Sequence, residues 1–206
     1  MEEQIACFNR EILSEYLGQS KVFYDESLWH RILNNLQYIP RRLVEGDCRY
    51  KQLVVYILIK AKDLYLAYRR TEKAGEKRLR YRYSIGIGGH VNLLDQAQST
   101  SSGRKQADLI SRAMWRELEE EIEINCNLLN EPELICFIND DSEDVGKVHF
   151  GVVFLLKIEE PAISKKGEEG IGELKFWNLS DLKAKKSCFE RWSRLLIEYL
   201  VKIKEK

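Results

Sequence analysis

Apolar residues recur at helical spacing in two stretches of the chain, and shorter runs rich in Val, Ile and Tyr occur elsewhere. Residues 108–122 and 188–203 place apolar side chains three and four positions apart, which predicts two amphipathic helices. The shorter runs predict strands, because β-branched and aromatic residues fit the pleated surface of a sheet. They occupy residues 52–60, 64–70, 81–91, 133–140, 148–158 and 173–179. The pattern predicts an α/β chain.

The first 50 residues have a different character. Short helical signals, EILSEYL at residues 11–17 and SLWHRILNNL at residues 27–36, alternate with charged residues. We therefore predict an N-terminal helical extension over residues 1–50, packed on a main domain over residues 51–206. A chain of 206 residues with 44% hydrophobic content can bury an ordinary core. This content excludes collagen-like, mucin-like and fully disordered chains.

The charges of the chain balance, with 33 Lys and Arg residues against 33 Asp and Glu residues. A neutral total gives no strong signal for nucleic acid or for an anionic membrane, so phosphate recognition has to come from local clusters of charge. The longest apolar stretches, such as residues 53–59, are too short to span a bilayer, and the N-terminal residues lack a signal-peptide core. The five cysteines are scattered without zinc-site spacing, which favours a reducing compartment. We expect a soluble, cytoplasmic protein.

Three glutamates stand out on the helix predicted over residues 108–122. Glu117, Glu120 and Glu121 are spaced i, i+3 and i+4, so their carboxylates project from one face and repel each other. An acidic run by itself favours a merely solvated helix face. Upstream, however, residues 84–92 form a strand-like run with three glycines, where backbone carbonyls can approach a ligand or a metal closely. Together these features favour a site for a hard divalent cation, with Mg²⁺ as the natural candidate.

This constellation resembles the signature of the Nudix hydrolases: a glycine, five residues, Glu, seven residues, Arg-Glu, an aliphatic residue, any residue, Glu-Glu, any residue, Gly and an aliphatic residue. The second half is matched by Arg116, Glu117, Leu118, Glu120, Glu121 and Ile124. Gly89 resembles the signature glycine, and Asp108 stands at the first Glu position, which implies an insertion across residues 90–107. Glu123 replaces the glycine that ends the helix.

The resemblance covers the chain from about residue 50 to the C-terminus and is to a bacterial subgroup of predicted Nudix phosphoesterases. It implies the Nudix α/β/α sandwich with a mixed central sheet. The implied activity is cleavage of a diphosphate linkage in a nucleoside diphosphate linked to another group, or in a related small metabolite. Water is then the nucleophile, and Mg²⁺ or Mn²⁺ is the cofactor.

By the same resemblance, the metal ligands are Glu117, Glu120, Glu121 and the carbonyl of Gly89, while Arg116 orients a neighbouring acid. The general base is open at this point. In this family it comes from the signature helix or from a loop acid. The candidates are Glu117, Glu121, Glu173, Asp141 and Asp144. A solvent-exposed role for Glu173 and a turn-forming role for the two aspartates are the competing interpretations.

A basic stretch precedes the glycines and is a candidate for holding substrate phosphate. It comprises Arg69, Arg70, Lys73, Lys77, Arg78, Arg80 and Arg82. We predict that Arg69, Arg70 and Arg82 bind the charged groups of the substrate, although a solvated hairpin explains the same pattern. His90 and His149 flank strand-like runs. They contact the ligand in one interpretation, with His90 as the substrate-binding candidate, and are buried core histidines in the other.

Two other functions remain open. The altered signature and its insertion are compatible with a catalytically silent Nudix domain that senses a ligand or binds a protein. Isomerisation of an isoprenoid diphosphate would require a cysteine near the glycines, and the nearest preceding one is Cys48. Trp177, Trp192 and the aromatic residues near the N-terminus either stack on a nucleobase, pack a homodimer or fill the core.

Overall fold

The computed structural model describes residues 2–16, 21–73, 79–96, 105–166 and 170–205. Its strands are β1 (Gln4–Asn9), β2 (Val22–Phe23), β3 (Gln37–Pro40), β4 (Tyr50–Ala61), β5 (Leu64–Arg70), β6 (Tyr83–Ser84), β7 (Gly86–Ile87), β8 (Ile122–Ile124), β9 (Glu133–Ile138), β10 (His149–Ile158), β11 (Ile163–Lys165) and β12 (Ile171–Asn178). Its α-helices are α1 (Glu26–Asn34), α2 (Arg41–Val44), α3 (Lys105–Glu121), α4 (Asp144–Val148), α5 (Leu179–Ala184) and α6 (Arg191–Lys204). Short 3₁₀ turns cover Arg10–Tyr16, Leu93–Gln96 and Lys186–Cys188.

Ten of these strands form one large sheet. Hydrogen-bonded neighbours follow the order β12-β5-β4-β10-β9-β2; β1, β6 and β7 pair onto this path, and β3 pairs with β1. The remaining two strands, β8 and β11, form a small antiparallel sheet. The predicted α/β class with a central sheet is confirmed, and the runs at 52–60 and 64–70 form the predicted hairpin of β4 and β5. Lys62 turns this hairpin with a positive φ of 54°.

The chain divides into two compact units. The first unit comprises residues 1–56, 88–116 and 135–153, and the second unit comprises residues 57–87, 117–134 and 154–206. The division of the chain into a 1–50 extension and a 51–206 Nudix domain stays a prediction.

In the first unit, the N-terminal residues contribute strands as well as helices, which corrects the expectation of a helical extension. Strand β1 pairs antiparallel with β3 and with β4. Residues 5–8 are all buried, so the strand lacks the alternation of apolar and polar residues that would have revealed it. The predicted helix at residues 27–36 is observed as α1, and the Asp25 carboxylate caps it by accepting from the Leu28 N–H at 2.9 Å.

In the second unit, α6 confirms the predicted closing helix and buries Leu196, Ile197 and Leu200. Helix α3 confirms the predicted central helix, but it ends at Glu121 and the chain enters β8 directly. Glu123, which replaces the signature glycine, lies within β8. Strand conformation needs no positive φ, so a side chain at this position causes no backbone strain.

Within the part of the chain that the structure describes, no helix combines the length and the apolar character needed to cross a bilayer.

Candidate active site

The glycine segment leads from β7 into the first unit. Gly88 has a φ of 147°, a conformation that side chains strongly disfavour. The carbonyl of Gly89 accepts a hydrogen bond from the N–H of Val55 at 2.9 Å, and His90 forms an isolated antiparallel bridge with Val54. The Gly89 carbonyl is therefore anchored to β4. A carbonyl oxygen has two lone pairs, so this hydrogen bond still permits the predicted role as a metal ligand.

Arg116, on α3, is held by an acid that the sequence analysis did not single out. Its Nε donates to Oδ1 of Asp95 at 2.8 Å, and its Nη2 donates to Oδ2 at 3.1 Å. The same Nη2 also donates to the carbonyl of His90 at 2.9 Å. Asp95 is only 4% exposed, and its carboxylate also accepts from the N–H of Asn92 at 2.8 Å. Arg116 thus ties α3 to the segment that follows the glycines.

The position of Asp95 changes the alignment with the Nudix signature. Five residues separate Gly89 from Asp95, the same spacing that the signature has between its glycine and its first Glu. Because Asp95 is the acid that Arg116 holds, the structure favours Asp95 over Asp108 at that signature position. The extra residues then follow Asp95 instead of following Gly89. Residues 97–104 of this insertion lie outside the described residues, as does the side chain of Asp108. The spacing was readable from the sequence alone.

We expect the substitution Asp95→Asn to lower the free energy of unfolding by about 2 kcal/mol, because hydrogen bonds to charged groups contribute about 1.5–3 kcal/mol. The amide offers one acceptor in place of the carboxylate that now binds both Nε and Nη2 of Arg116. Urea denaturation measures the change. Asp63→Asn, at the exposed turn of the β4–β5 hairpin, is the control and should shift stability by less than about 0.5 kcal/mol. Equal effects of the two substitutions would show that the pair with Arg116 is not stabilising.

The three glutamates of the signature lie in the second unit, in the last turns of α3. Glu120 is exposed, Glu117 is half-buried and Glu121 is 9% exposed. Burial raises the pKa of the fully buried Tyr68, and the negative charge of Glu121 raises it further. The charge of Arg70 lowers the same pKa, so Arg70 and Glu121 act on Tyr68 in opposite directions. The backbone carbonyl of Glu121 accepts from the N–H of Lys166 at 3.1 Å, which fixes the end of the helix.

These acids fit a hard divalent cation by their chemistry. Carboxylate oxygens from one helix face are the ligands that Mg²⁺ and Mn²⁺ prefer. Among the described side chains, no three His, Cys, Asp or Glu residues already converge into a cation cluster. Protein-bound Mg²⁺ commonly uses one or two carboxylates together with waters and substrate phosphates, so a closed protein cage is not required.

The predicted phosphate-binding arginines take different positions within the second unit. Arg69 and Arg70 are consecutive on β5, so their side chains point to opposite faces of the sheet. The Arg70 guanidinium lies over the Tyr68 ring, 5.4 Å from its centroid, which puts it on the same face of β5 as Tyr68. Arg69 lies over the ring of Tyr81, and Arg82 donates to the Ser187 carbonyl at 3.2 Å. Lys77 and Arg78 lie outside the described residues.

Three candidate general bases form ion pairs. Asp144 pairs with Lys147 at 2.8 Å, and both side chains are exposed. Glu173 pairs with Lys175 on β12, also at 2.8 Å and also exposed. Asp141 pairs with Arg10 and with the buried Lys51. These contacts favour a structural role for Asp141, and its role as a base stays a prediction.

His90 and His149 contact each other within the first unit. Their Nε2 atoms are 3.1 Å apart, and Nδ1 of His149 lies 2.6 Å from the carbonyl oxygen of Val145. Burial lowers the pKa of His90 to about 3, with further lowering by His149, Arg41 and Arg116. His90 is therefore neutral at physiological pH. The two histidines that the sequence analysis considered separately form a pair.

A comparison with models of known protein families finds no match. The chain is 31% identical over 209 residues to Protein YmaB of Bacillus subtilis (strain 168), and the match covers 97% of this chain and 98% of YmaB. The chain belongs to the YmaB family. The alignment extends over nearly the full length of both proteins, so the similarity spans the N-terminal strands of this chain as well as its glutamate helix.

The chain is also similar to solved Nudix structures. Tm1382, a candidate Nudix hydrolase, gives a TM-score of 0.78 at 24% identity, over 98% of this chain and 100% of Tm1382. The MutT protein from Methanosarcina mazei Go1 gives 0.51 at 16% identity, over 76% of this chain and 96% of that protein. A bifunctional NMN adenylyltransferase/ADP ribose pyrophosphatase from Francisella tularensis, complexed with AMP and a Mn ion, gives 0.51 at 18% identity, over 74% of this chain and 41% of that protein. The Nudix fold that the signature implied is confirmed.

Proposed function

We propose that the chain is a divalent-metal-dependent hydrolase that cleaves a diphosphate linkage. Its substrate would be a small phosphorylated molecule, either a nucleoside diphosphate linked to another group or a related metabolite. The observation that carries this proposal is the row of Glu117, Glu120 and Glu121 on one face of α3, with Glu121 buried, in a chain of Nudix fold. Like charges at these spacings cost a few tenths of a kcal/mol per pair, and a bound cation would offset that repulsion.

The metal and the bond class are supported by one structural neighbour. The Francisella protein is described as an ADP ribose pyrophosphatase and was complexed with AMP and a Mn ion. Its similarity to this chain supports the choice of Mg²⁺ or Mn²⁺ and of a diphosphate bond, while the identity of the substrate stays open.

Each acid of the site has a proposed role in cation binding or proton transfer. Glu117, Glu120 and Glu121 hold the cation, and the Gly89 carbonyl is a further candidate ligand. A bound divalent cation polarises phosphoryl oxygens and lowers the pKa of water. Glu117 or Glu121 accepts the proton of the attacking water, and Glu173 is the alternative base. Arg116 positions α3 through its pair with Asp95.

The basic residues are the candidates for binding the charged groups of the substrate. Arg70 is the strongest candidate for a phosphate contact, because it lies over the ring of Tyr68, and the charge of Glu121 also acts on Tyr68. Arg69 and Arg82 are candidates for more distant charged groups of the substrate. His90 is the candidate for an uncharged polar group, because its imidazole is neutral.

The alternative is a Nudix domain that binds a ligand without turning it over. The absence of a preformed three-acid cluster among the described side chains is the observation compatible with it. Retention of all three signature glutamates argues against it, since a binding module gains nothing from mutually repelling acids.

The proposal is tested by incubating the metal-stripped chain with nucleoside triphosphates, nucleotide sugars and dinucleoside polyphosphates, with and without Mg²⁺ or Mn²⁺. We expect release of phosphate, pyrophosphate or a nucleoside monophosphate from at least one compound class. Turnover should require the cation, disappear with a chelator and return when Mg²⁺ is added back. If no compound is hydrolysed, but calorimetry shows that one binds without a cation, the chain is a binding module and the proposal is wrong.

A further inference from the structure

The chain changes its strand partner just before the glycine segment, residues 86–89. Strand β6 pairs with β5, with Ser84 opposite Tyr68, whereas β7 pairs with β4, with Gly86 opposite Leu58. Ile85 lies between the two strands and belongs to neither. Residues 84–86 are all buried, so the backbone groups at this crossing need hydrogen-bond partners within the protein.

Side chains of three elements bind the backbone at this crossing. The N–H of Ile85 donates to Oγ of Ser193, on α6, at 3.0 Å. The carbonyl of Gly86 accepts from the hydroxyl of Tyr68, on β5, at 3.2 Å. It also accepts from Oγ of Ser84, on β6, at 3.0 Å. Helix α6 therefore holds the chain at the point where it leaves β5 for β4.

Ser193 is itself held in one orientation. It is fully buried, and because the N–H of Ile85 can only donate, the Ser193 oxygen accepts from it. The hydroxyl hydrogen of Ser193 is then directed to Oε1 of Glu190, 2.5 Å away. Glu190 is 6% exposed, and its carboxylate caps α6 by accepting from the N–H groups of Trp192 at 2.8 Å and Ser193 at 3.0 Å. Capping requires only this carboxylate, so the contact between Ser193 and Ile85 serves another purpose.

The glycine segment has few other restraints on its path. Three of its four residues are glycines, which have no side chain to pack and a wide choice of backbone conformations. Strand β7 is only two residues long, so it contributes few ladder hydrogen bonds. An anchor at Ile85, directly before the segment, therefore restricts the conformations that the segment can adopt.

We propose that Ser193 is a positioning residue that fixes the entry to the glycine segment and, through it, the carbonyl of Gly89 as a cation ligand. Ser193 acts through the N–H of Ile85, four residues before Gly89. Glu190 keeps the Ser193 hydroxyl turned so that its oxygen accepts from Ile85. The cation role rests on the proposed function, whereas the anchor at Ile85 does not.

Three variants of α6 separate the anchor from the stability of the helix. Ser193→Ala removes the acceptor of the Ile85 N–H but leaves the Glu190 cap, whereas Ser193→Thr keeps a hydroxyl. Ile197→Val is the matched control, because it removes one methyl group from a fully buried residue on the same helix, and its side chain has no polar atom to bind the crossing. Urea denaturation gives the stability of each variant, to which the exchange rates below are referred.

The first readout is amide hydrogen exchange in the full-length, metal-free chain, followed residue by residue by NMR. We expect the Ile85 N–H to exchange about tenfold faster in Ser193→Ala than in Ile197→Val, the effect of one lost hydrogen bond. In Ser193→Thr it should exchange as in the wild type. Equal exchange of Ile85 in Ser193→Ala and Ile197→Val would overturn the proposal, and this comparison holds even if Ser193→Thr does not fold.

The second readout is the affinity for Mn²⁺, measured by calorimetric titration of the metal-stripped chain. We expect Ser193→Ala to raise the Kd about tenfold, at the lower end of the effect of removing an indirect support of a metal ligand. Ser193→Thr should recover most of the affinity, and Ile197→Val should stay within about twofold of the wild type. Equal affinities of Ser193→Ala and Ile197→Val would show that Ser193 serves stability alone.

The two readouts distinguish this proposal from the proposed function. If the wild type binds Mn²⁺ and the variants differ as expected, but no compound is hydrolysed, the proposed function fails while the positioning role of Ser193 stands. If compounds are hydrolysed and Ser193→Ala binds Mn²⁺ as the control does, the positioning role is wrong and the proposed function stands. If the wild type binds no Mn²⁺, both are wrong.

Discussion

Replacing Glu120 by Gln is expected to lower kcat/KM by about a thousandfold or more, which corresponds to about 4 kcal/mol of lost transition-state stabilisation. The amide keeps the size of the side chain but removes the charge that would hold the cation. Glu120 is exposed, so the substitution should leave the fold intact. The measurement is steady-state hydrolysis of the substrate identified with Mg²⁺, together with a Mg²⁺ titration of both proteins.

The matched control is Glu119→Gln. Glu119 is also exposed and directly precedes Glu120, but it projects from a different face of α3. We expect the control to keep kcat/KM within about twofold, because a surface charge change alone has little effect. Equal losses in the two variants would show that the net charge of the helix matters and not a cation site on one face.

The substitution Lys51→Met is expected to lower the free energy of unfolding by about 3 kcal/mol, at the lower end of the effect of breaking a buried ion pair. The Lys51 side chain is fully buried, and its Nζ donates to Asp141 at 2.5 Å and to the Gly146 carbonyl at 2.6 Å. Burial lowers the pKa of Lys51, while Asp141 opposes that shift. Methionine fills similar space but leaves both acceptors without this donor. The measurement is urea denaturation at neutral pH.

Lys147→Met is the control for this prediction. Lys147 forms an ion pair with Asp144 at 2.8 Å in the same region of the chain, but both side chains are exposed. Exposed pairs contribute about 0–1 kcal/mol, so the control should change stability by less than about 1 kcal/mol. A loss for Lys51→Met as small as that of the control would show that Asp141 and the carbonyls find other partners, such as Arg10 or water.

The turn that Lys51 holds also depends on a glycine. A Cβ atom added at Gly146 would lie 1.8 Å from the backbone oxygen of Asp140, a distance at which the backbone would have to move. Lys51 and Gly146 therefore both stabilise the same segment: Lys51 donates hydrogen bonds to it, and Gly146 permits the close approach of the Asp140 backbone because it has no side chain. Nothing in the local sequence DSEDVGKV indicates this close approach.

The features that the sequence predicted correctly are those encoded by local spacing. Helix α3 follows from apolar residues three and four apart, and the β4–β5 hairpin follows from two runs separated by a short charged turn. The placement of Glu117, Glu120 and Glu121 on one face required only the pitch of a helix. The N-terminal strands were missed because β1 is buried on both faces and has no alternating pattern.

The contacts around the site could not be predicted in this way. Lys51 and Asp141 are 90 residues apart in sequence, and His90 and His149 are 59 apart. The identity of the partner of Arg116 was within reach, because the spacing from Gly89 to Asp95 repeats that of the signature. Only the structure, however, shows that Asp95 is the acid to which the Arg116 guanidinium donates.

The sequence by itself thus determined the α/β class and the glutamate helix, because periodicity is a local property, and it predicted a hard divalent cation as the ligand of that helix. Only the tertiary structure decided which acid holds Arg116, which carboxylate pairs with the buried Lys51 and that His90 contacts His149. Each of these depends on side chains that are distant in sequence and meet in the fold, where burial and hydrogen-bond direction select one arrangement from many that the sequence permits.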